Sequence, residues 1–409
     1  MKNAHMPQPD RPESYLRRVL VAVTGMSPQV VTETLYALAV RPVRAPHADR
    51  PAAEPFVPTE IYLITTARGA EHARLNLLSQ EPGWFHRLRR DYGLPEIAFD
   101  PSRIHAIPGD GGGPLEDIRS KEDNERAADF ITEQVRALTA DPESALHVSI
   151  AGGRKTMGYY LGYALSLYGR PQDRLSHVLV SAPYESHPQF YYPTRKEYVI
   201  HTLDNQRLAL DCRKAEVTLA DIPFVRLRDG LPEALLSGAS RFSDSVSAAQ
   251  RAFGPLSLVI ELSDDGAMIQ AGGVVVDIAP ADAAFYLMMA RAAAEGRTLR
   301  WDDPGVGDAY LREYARFSDP MSPRYLDAKR RLEDELLDDW FEERKSKCNA
   351  ALGDSLGKAG ARAYGIQGFG GKGRMRFGLA LSSDVIHVLD ALPAGATTLP
   401  LRQRPEHSK

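Results

Sequence analysis

Three observations predict an α/β fold with a mostly parallel sheet, followed by a smaller α+β unit. Short runs of β-branched and apolar residues recur from residue 18 to residue 181. Nearly every run is followed by a stretch with apolar residues at helical spacing. From residue 256 this rhythm gives way to a hairpin, several helices and a terminal ribbon. Strands that alternate with helices are joined by crossovers, so they lie parallel with helices on both faces of the sheet.

In order, residues 18–23 (RVLVAV) read as a buried strand, and a helix is expected over 28–40, with Pro28 suited to its first position. The proline-rich stretch 41–58 reads as an exposed insertion. A second strand is expected over 60–66 (EIYLITT), helical sequence over 69–92, and a third strand over 103–107. Between 121 and 138, Ala127, Phe130, Ile131, Val135 and Leu138 recur at helical spacing. Residues 146–150 give a fourth strand, 155–168 a helix and 175–181 a fifth strand. Residues 18–203 therefore read as one Rossmann-like domain, and residues 204–255, which carry no clear period, as linker and packing helices. Residues 256–392 read as a winged-helix-like domain. It comprises a hairpin turning at Ser263-Asp264-Asp265-Gly266, a helix over 280–295, a charged helical region over 324–352, and two strands bracketing a glycine-rich tip at 368–373.

Composition narrows the function. Of 409 residues, 50 are Lys or Arg and 54 Asp or Glu, a net charge of -4 that excludes a polyanion-coating chain and leaves only a local patch for nucleic acid. Two cysteines, Cys212 and Cys348, supply neither a disulfide framework nor a multi-cysteine zinc site. No uncharged apolar run reaches the ~18 residues of a membrane span, and the N-terminus has no apolar core of a signal peptide. The expectation is a soluble, cytoplasmic protein without a membrane partner.

Two motifs carry chemistry. Thr24-Gly25-Met26-Ser27-Pro28-Gln29 follows the first strand, where open α/β sheets bind ligands. A helix starting there offers unpaired backbone N–H groups and a positive dipole end, both suited to phosphate, and Gly25 permits the tight turn. Ser27 is placed either to cap the helix or to touch a ligand. The spacing is not that of a dinucleotide-binding loop, so no nicotinamide or flavin cofactor is expected. Gly152-Gly153-Arg154-Lys155-Thr156-Met157 follows the fourth strand. Cations at a helix start oppose its dipole, and an anion held between them accounts for Arg154 and Lys155 better than helix stability does. It is not a Walker loop. Asn124 and Tyr184 lie at later element edges on the expected pocket face. No His, Cys or carboxylate cluster of metal-ligand type accompanies these residues, so neither metal nor cofactor is expected.

The stretch 20–38 (LVAVTGMSPQVVTETLYAL), the GGRKTM motif at 152–157 and 175–184 (LSHVLVSAPY) together resemble the CRISPR-associated Rossmann-fold (CARF) sensor family of antiviral defence, in particular its ring nuclease branch. The resemblance covers about 18–203. It implies binding of a cyclic oligoadenylate, most simply cyclic tetra-adenylate, across a homodimer. It also implies metal-free cleavage of that ring, with Ser27 and Lys155 matching the branch's catalytic serine and lysine. Thr24, Gly25, Met26, Gln29, Asn124, Gly152, Gly153, Arg154, Thr156 and Tyr184 are then the expected ligand contacts. Many relatives carry a ribonuclease whose arginine and histidine lie on a helix. Only Arg195…His201 and Arg402…His407 match that spacing, in strand-like sequence and in a proline-containing tail, so bulk RNA degradation is not expected. An alternative is a non-catalytic sensor whose wing binds DNA through Lys372, Arg374 and Arg376, set against a solvated hairpin that serves packing.

Overall fold

In the computed structural model of the chain, which describes residues 8–41, 54–238, 241–252, 254–263, 266–334, 337–371 and 374–389, the first predicted strand lies inside a six-stranded sheet. Contacts divide the chain into two compact units, with the main boundary near residue 250.

The first unit begins with β1 (Arg17–Val23), α1 (Gln29–Ala39), β2 (Glu60–Thr65), α2 (Ala67–Ala73) and α3 (Trp84–Tyr92). It continues through β3 (Ile104–Ala106), α4 (Lys121–Thr139), β4 (Ser144–Ser149), α5 (Lys155–Tyr168) and β5 (Arg174–Val180). Where the sequence predicts one helical stretch over 69–92, Gly83 at φ 52° separates α3 from the segment before it. The strand order β3-β2-β1-β4-β5 is parallel throughout. Alternation along β1 sorts its side chains between two cores. Leu20 and Ala22 pack with α1 and α3, while Val19, Val21 and Val23 pack with α4 and α5. This is the expected α/β fold with helices on both faces.

The segment read as linker differs from expectation. After the ribbon β6 (Val199–His201) and β7 (Ala209–Asp211), the strand β8 (Val217–Asp221) joins the main sheet antiparallel to β5. Then α6 (Phe242–Ala252) begins by packing Phe242 on Tyr160 and Tyr163 of α5. As an edge strand, β8 buries only Val217 fully, so its sequence shows no sharp alternation.

The second unit is α+β. Strands β9 (Leu258–Ser263), β10 (Gly266–Ala271) and β11 (Val274–Val275) precede α7 (Pro280–Ala294), α8 (Val306–Tyr314), α9 (Pro323–Asp334) and α10 (Leu337–Tyr364). Strands β12 (Ile366–Phe369), β13 (Arg376–Leu379) and β14 (Ile386–Leu389) follow. The sheet order is β11-β10-β9-β14, while β12 and β13 form a separate antiparallel ribbon. Leu299 exchanges two backbone hydrogen bonds of 2.7 Å with Phe377 of that ribbon. The helix α7 is buried on nearly all sides, and α10 is broken at Gly357, where φ is 76°. The turn residues Asp264 and Asp265, and most of the 41–58 insertion, lie outside the described residues. Among the described residues no helix is long and apolar enough to cross a membrane.

Candidate functional site

In the order β3-β2-β1-β4-β5 the chain reverses its direction of travel across the sheet between β1 and β4. At such a reversal the loops leaving neighbouring strands diverge and open a crevice at the strands' carboxyl ends. The two loops are the two motifs read from the sequence: β1 ends at Val23 and β4 at Ser149, and Ala22 pairs with Ser149 in register.

Local chemistry draws the loops together. Thr24 is fully buried; its hydroxyl donates to the Ser27 carbonyl at 2.8 Å, and its own carbonyl accepts from the Thr65 hydroxyl at 2.7 Å. That double tie shapes the first loop from within. A Cβ on Gly25 would stand 3.8 Å from the Gly153 Cα. One on Gly152 would come within 2.7 Å of the Val23 carbonyl and 2.9 Å of Val30 Cγ2, so only glycine permits this approach. Gly153 also needs its freedom, with φ at 78°. Neither α1 nor α5 has a side-chain cap at its start. Their first N–H groups are therefore left for water or a ligand.

A cavity of about 300 Å³ opens beside these loops, with Gly25, Met26, Gly153 and Arg154 in its wall. Four charged or polar wall residues were not foreseen: Thr66 and Arg68 after β2, and Glu116 and Asp117 ahead of α4. Their signal was positional, since a loop after β2 opens on the same sheet edge. Asp117 changes the charge count. Arg154 holds it with two hydrogen bonds, of 2.9 Å and 2.5 Å, and this partner holds the Asp117 carboxyl down at about 2. Arg68 faces Glu116 at 3.4 Å. The cavity wall is thus charge-compensated, and Lys155, exposed at the first position of α5 with no ion-pair partner among the described residues, is the available cation. Ser27 is exposed and does not cap α1, and Thr156 is exposed one residue after Lys155; none of the three lines the cavity, although Ser27 follows the wall residue Met26 and Lys155 follows Arg154.

Three expected contacts lie elsewhere. Gln29 donates to the Pro188 carbonyl at 2.9 Å and ties down the chain after β5. The Asn124 amide donates to the Tyr160 hydroxyl at 2.6 Å, holding α4 to α5. Tyr184 is buried against Phe190, and its hydroxyl donates to the Asp211 carbonyl at 2.8 Å, so it serves the core. In the second unit Arg376 is engaged with Asp303 at 2.7 Å and with Thr298, whereas Arg374 is exposed; Lys372 lies outside the described residues. Of the two ribonuclease-like spacings, Arg195 donates to the Asp91 carbonyl and His201 sits in β6, and Arg402 and His407 lie outside the described residues. Among the described residues no three His, Cys, Asp or Glu side chains gather as a metal-holding group.

The profile of a family described as CRISPR-associated protein NE0113 (Cas_NE0113) matches residues 27–255. Among solved structures, Enterococcus italicus Csm6 bound to cyclic hexa-2′-fluoro-hexa-dAMP is similar at 11% identity and a TM-score of 0.23. That match covers 80% of this chain and 56% of the other, so the chain spans little more than half of that protein. No curated protein matches the sequence.

Proposed function

Because the chain belongs to the CRISPR-associated NE0113 family, whose profile covers more than half of it, we propose that it binds a cyclic oligoadenylate as a homodimer and cleaves the ring without a metal. The observation that carries this reading is the meeting of the two glycine loops at the β1/β4 reversal, beside a cavity walled by Gly25, Met26, Gly153 and Arg154, with two uncapped helix starts and with the exposed Ser27 and Lys155 each next in the chain to a wall residue. Two of the three CARF-like stretches of the sequence, 20–38 and 152–157, run into these two loops.

In the proposed reaction a ribose 2′-hydroxyl attacks its own 3′ phosphate. The O2′–P bond forms and the bond from phosphorus to the 5′-oxygen breaks, leaving a 2′,3′-cyclic phosphate and a 5′-hydroxyl. The proton lost by the nucleophile is returned to the leaving oxygen through solvent. The protein's part is to hold the nucleophile in line and to stabilise charge on the phosphoryl oxygens. Lys155 and the N–H groups that open α5 supply the stabilisation, and Ser27 orients ribose or phosphate. No histidine base stands in either loop, so turnover is slow, which suits termination of a signal.

Purified protein is incubated with labelled cyclic tetra-adenylate in EDTA. The expected result is linear product, reduced roughly tenfold or more in Ser27→Ala and in Lys155→Ala. An intact ring despite tight binding would overturn the nuclease reading. It would leave the second one, a sensor that binds DNA, for which the two-stranded β12–β13 ribbon, bridged by Leu299 at Phe377, would serve as the wing. A messenger-dependent mobility shift, lost when Lys372 and Arg374 are neutralised, is what that reading requires.

A further inference from the structure

The cavity beside the two loops has no aromatic wall: it is made of glycine, methionine, threonine and charged side chains. Such a wall suits a phosphodiester and leaves a purine with no flat surface to lie on. One helical turn beyond Lys155, on the same face of α5, stands Tyr159. Its side chain is 62% exposed, in a segment whose neighbours Met157, Gly158 and Leu161 are buried.

The exposed ring is not loose. It lies 5.7 Å from the Tyr163 ring, tilted by 35°, and 5.8 Å from the Tyr160 ring, nearly edge-on at 71°. Both neighbours pack edge-on against Phe242, at 5.1 Å for Tyr160 and 5.4 Å for Tyr163. Tyr160 is further pinned by the Asn124 amide. Tyr159 is thus the solvent end of a braced aromatic ladder, held at its rim and open to water. An aromatic held in that way binds a base at little cost in side-chain entropy.

We propose that Tyr159 is the base-stacking residue of this site and sets its preference for purines; the inference rests on the cyclic oligoadenylate reading above. Asn124 then acts on the ligand through Tyr160, as a positioning residue. Stacking on an aromatic face is sequence-tolerant but graded by ring area, so adenine gains more than a pyrimidine.

The test uses the full chain and cyclic tetra-adenylate in which one adenine is replaced by fluorescent 2-aminopurine. The wild type and Tyr159→Phe are expected to bind and quench the probe. Tyr159→Leu is expected to weaken binding by roughly tenfold or more and to leave the bound probe bright. Wild-type affinity and quenching in Tyr159→Leu overturn the proposal while the ligand reading stands. Conversion of that variant from dimer to monomer in light scattering assigns the ring to subunit packing and overturns it as well. No binding by the wild type removes the ligand reading and this inference together.

Discussion

Glu33, on the second turn of α1, is 7% exposed, and no hydrogen-bond partner for its carboxyl is found among the described residues. Burial, with a smaller contribution from the charge of Glu185, pushes this carboxyl up to about 8. The sign of the linkage follows. Between the ordinary carboxylate range and about pH 8, the unfolded chain has lost this proton and the folded chain keeps it, so stability falls as pH rises through that window. Glu33→Gln removes the titration. The variant should match the wild type near pH 4.5 and exceed it at pH 9 in urea denaturation; an equal gap at both pH values would show that Glu33 is ionised in the fold. The same residue-scale view explains what the sequence hid. Arg154 and Lys155 look alike as cations beside a glycine turn, yet one is bound to Asp117 and the other has no ion-pair partner among the described residues. The partner is 37 positions away, beyond the reach of any local pattern. Tyr184 was similarly hidden, because the chain after β5 folds back as aromatic cover instead of opening on the ligand side.

Among the elements, α5 matters most, since it begins at Lys155 and ends in a buried polar knot. Asp173, fully buried, accepts from the Leu146 and Arg170 amides at 2.9 Å and 2.7 Å, and from the Arg170 guanidinium at 2.9 Å and 3.0 Å. Arg170 also donates to Ser144 and to the Asp141 carbonyl. The knot joins β4, the end of α5 and the start of β5 at the edge of the sheet opposite the cavity. Asp173→Ala would strand a buried guanidinium, and a loss of about 3–5 kcal/mol is expected from breaking one half of such a pair. Against a typical domain stability of roughly 5–15 kcal/mol, this change would shift the denaturation midpoint of the first unit clearly, and an unshifted midpoint would contradict it. At this scale the sequence was most legible where strands are buried on both faces, as in β1, apolar without a break from Val19 to Val23, and β4, buried at every position. It was least legible at β8, an edge strand with one covered face, and at Gly83, where one residue with positive φ splits a run that reads as a single helix.

For the whole molecule, the net charge of -4 and the compensated cavity wall act together. In the proposed homodimer each protomer would bring Lys155, which has no ion-pair partner among the described residues, to the proposed site, and a ring with two-fold symmetry would present the same half to each of the two protomers. Two lysines then face four phosphates, and the remaining stabilisation comes from backbone N–H groups at the starts of α1 and α5. Counterion release scales with the phosphates neutralised by cations, with a log–log slope of about −0.7 for each in single-stranded nucleic acid. Two lysines per ring give a slope near −1.4 by that rule, whereas recruitment of both Arg154 side chains away from Asp117 would double it to roughly −2.8. Calorimetric titration of the ring between low and moderate salt measures slope and stoichiometry together. The expected outcome is one ring for two protomers with the shallower slope. The steeper slope would mean that the Arg154–Asp117 pair opens on binding, a change that Asp117→Asn should then mimic by tightening the complex. One ring for each protomer would overturn the two-fold arrangement, whatever the slope.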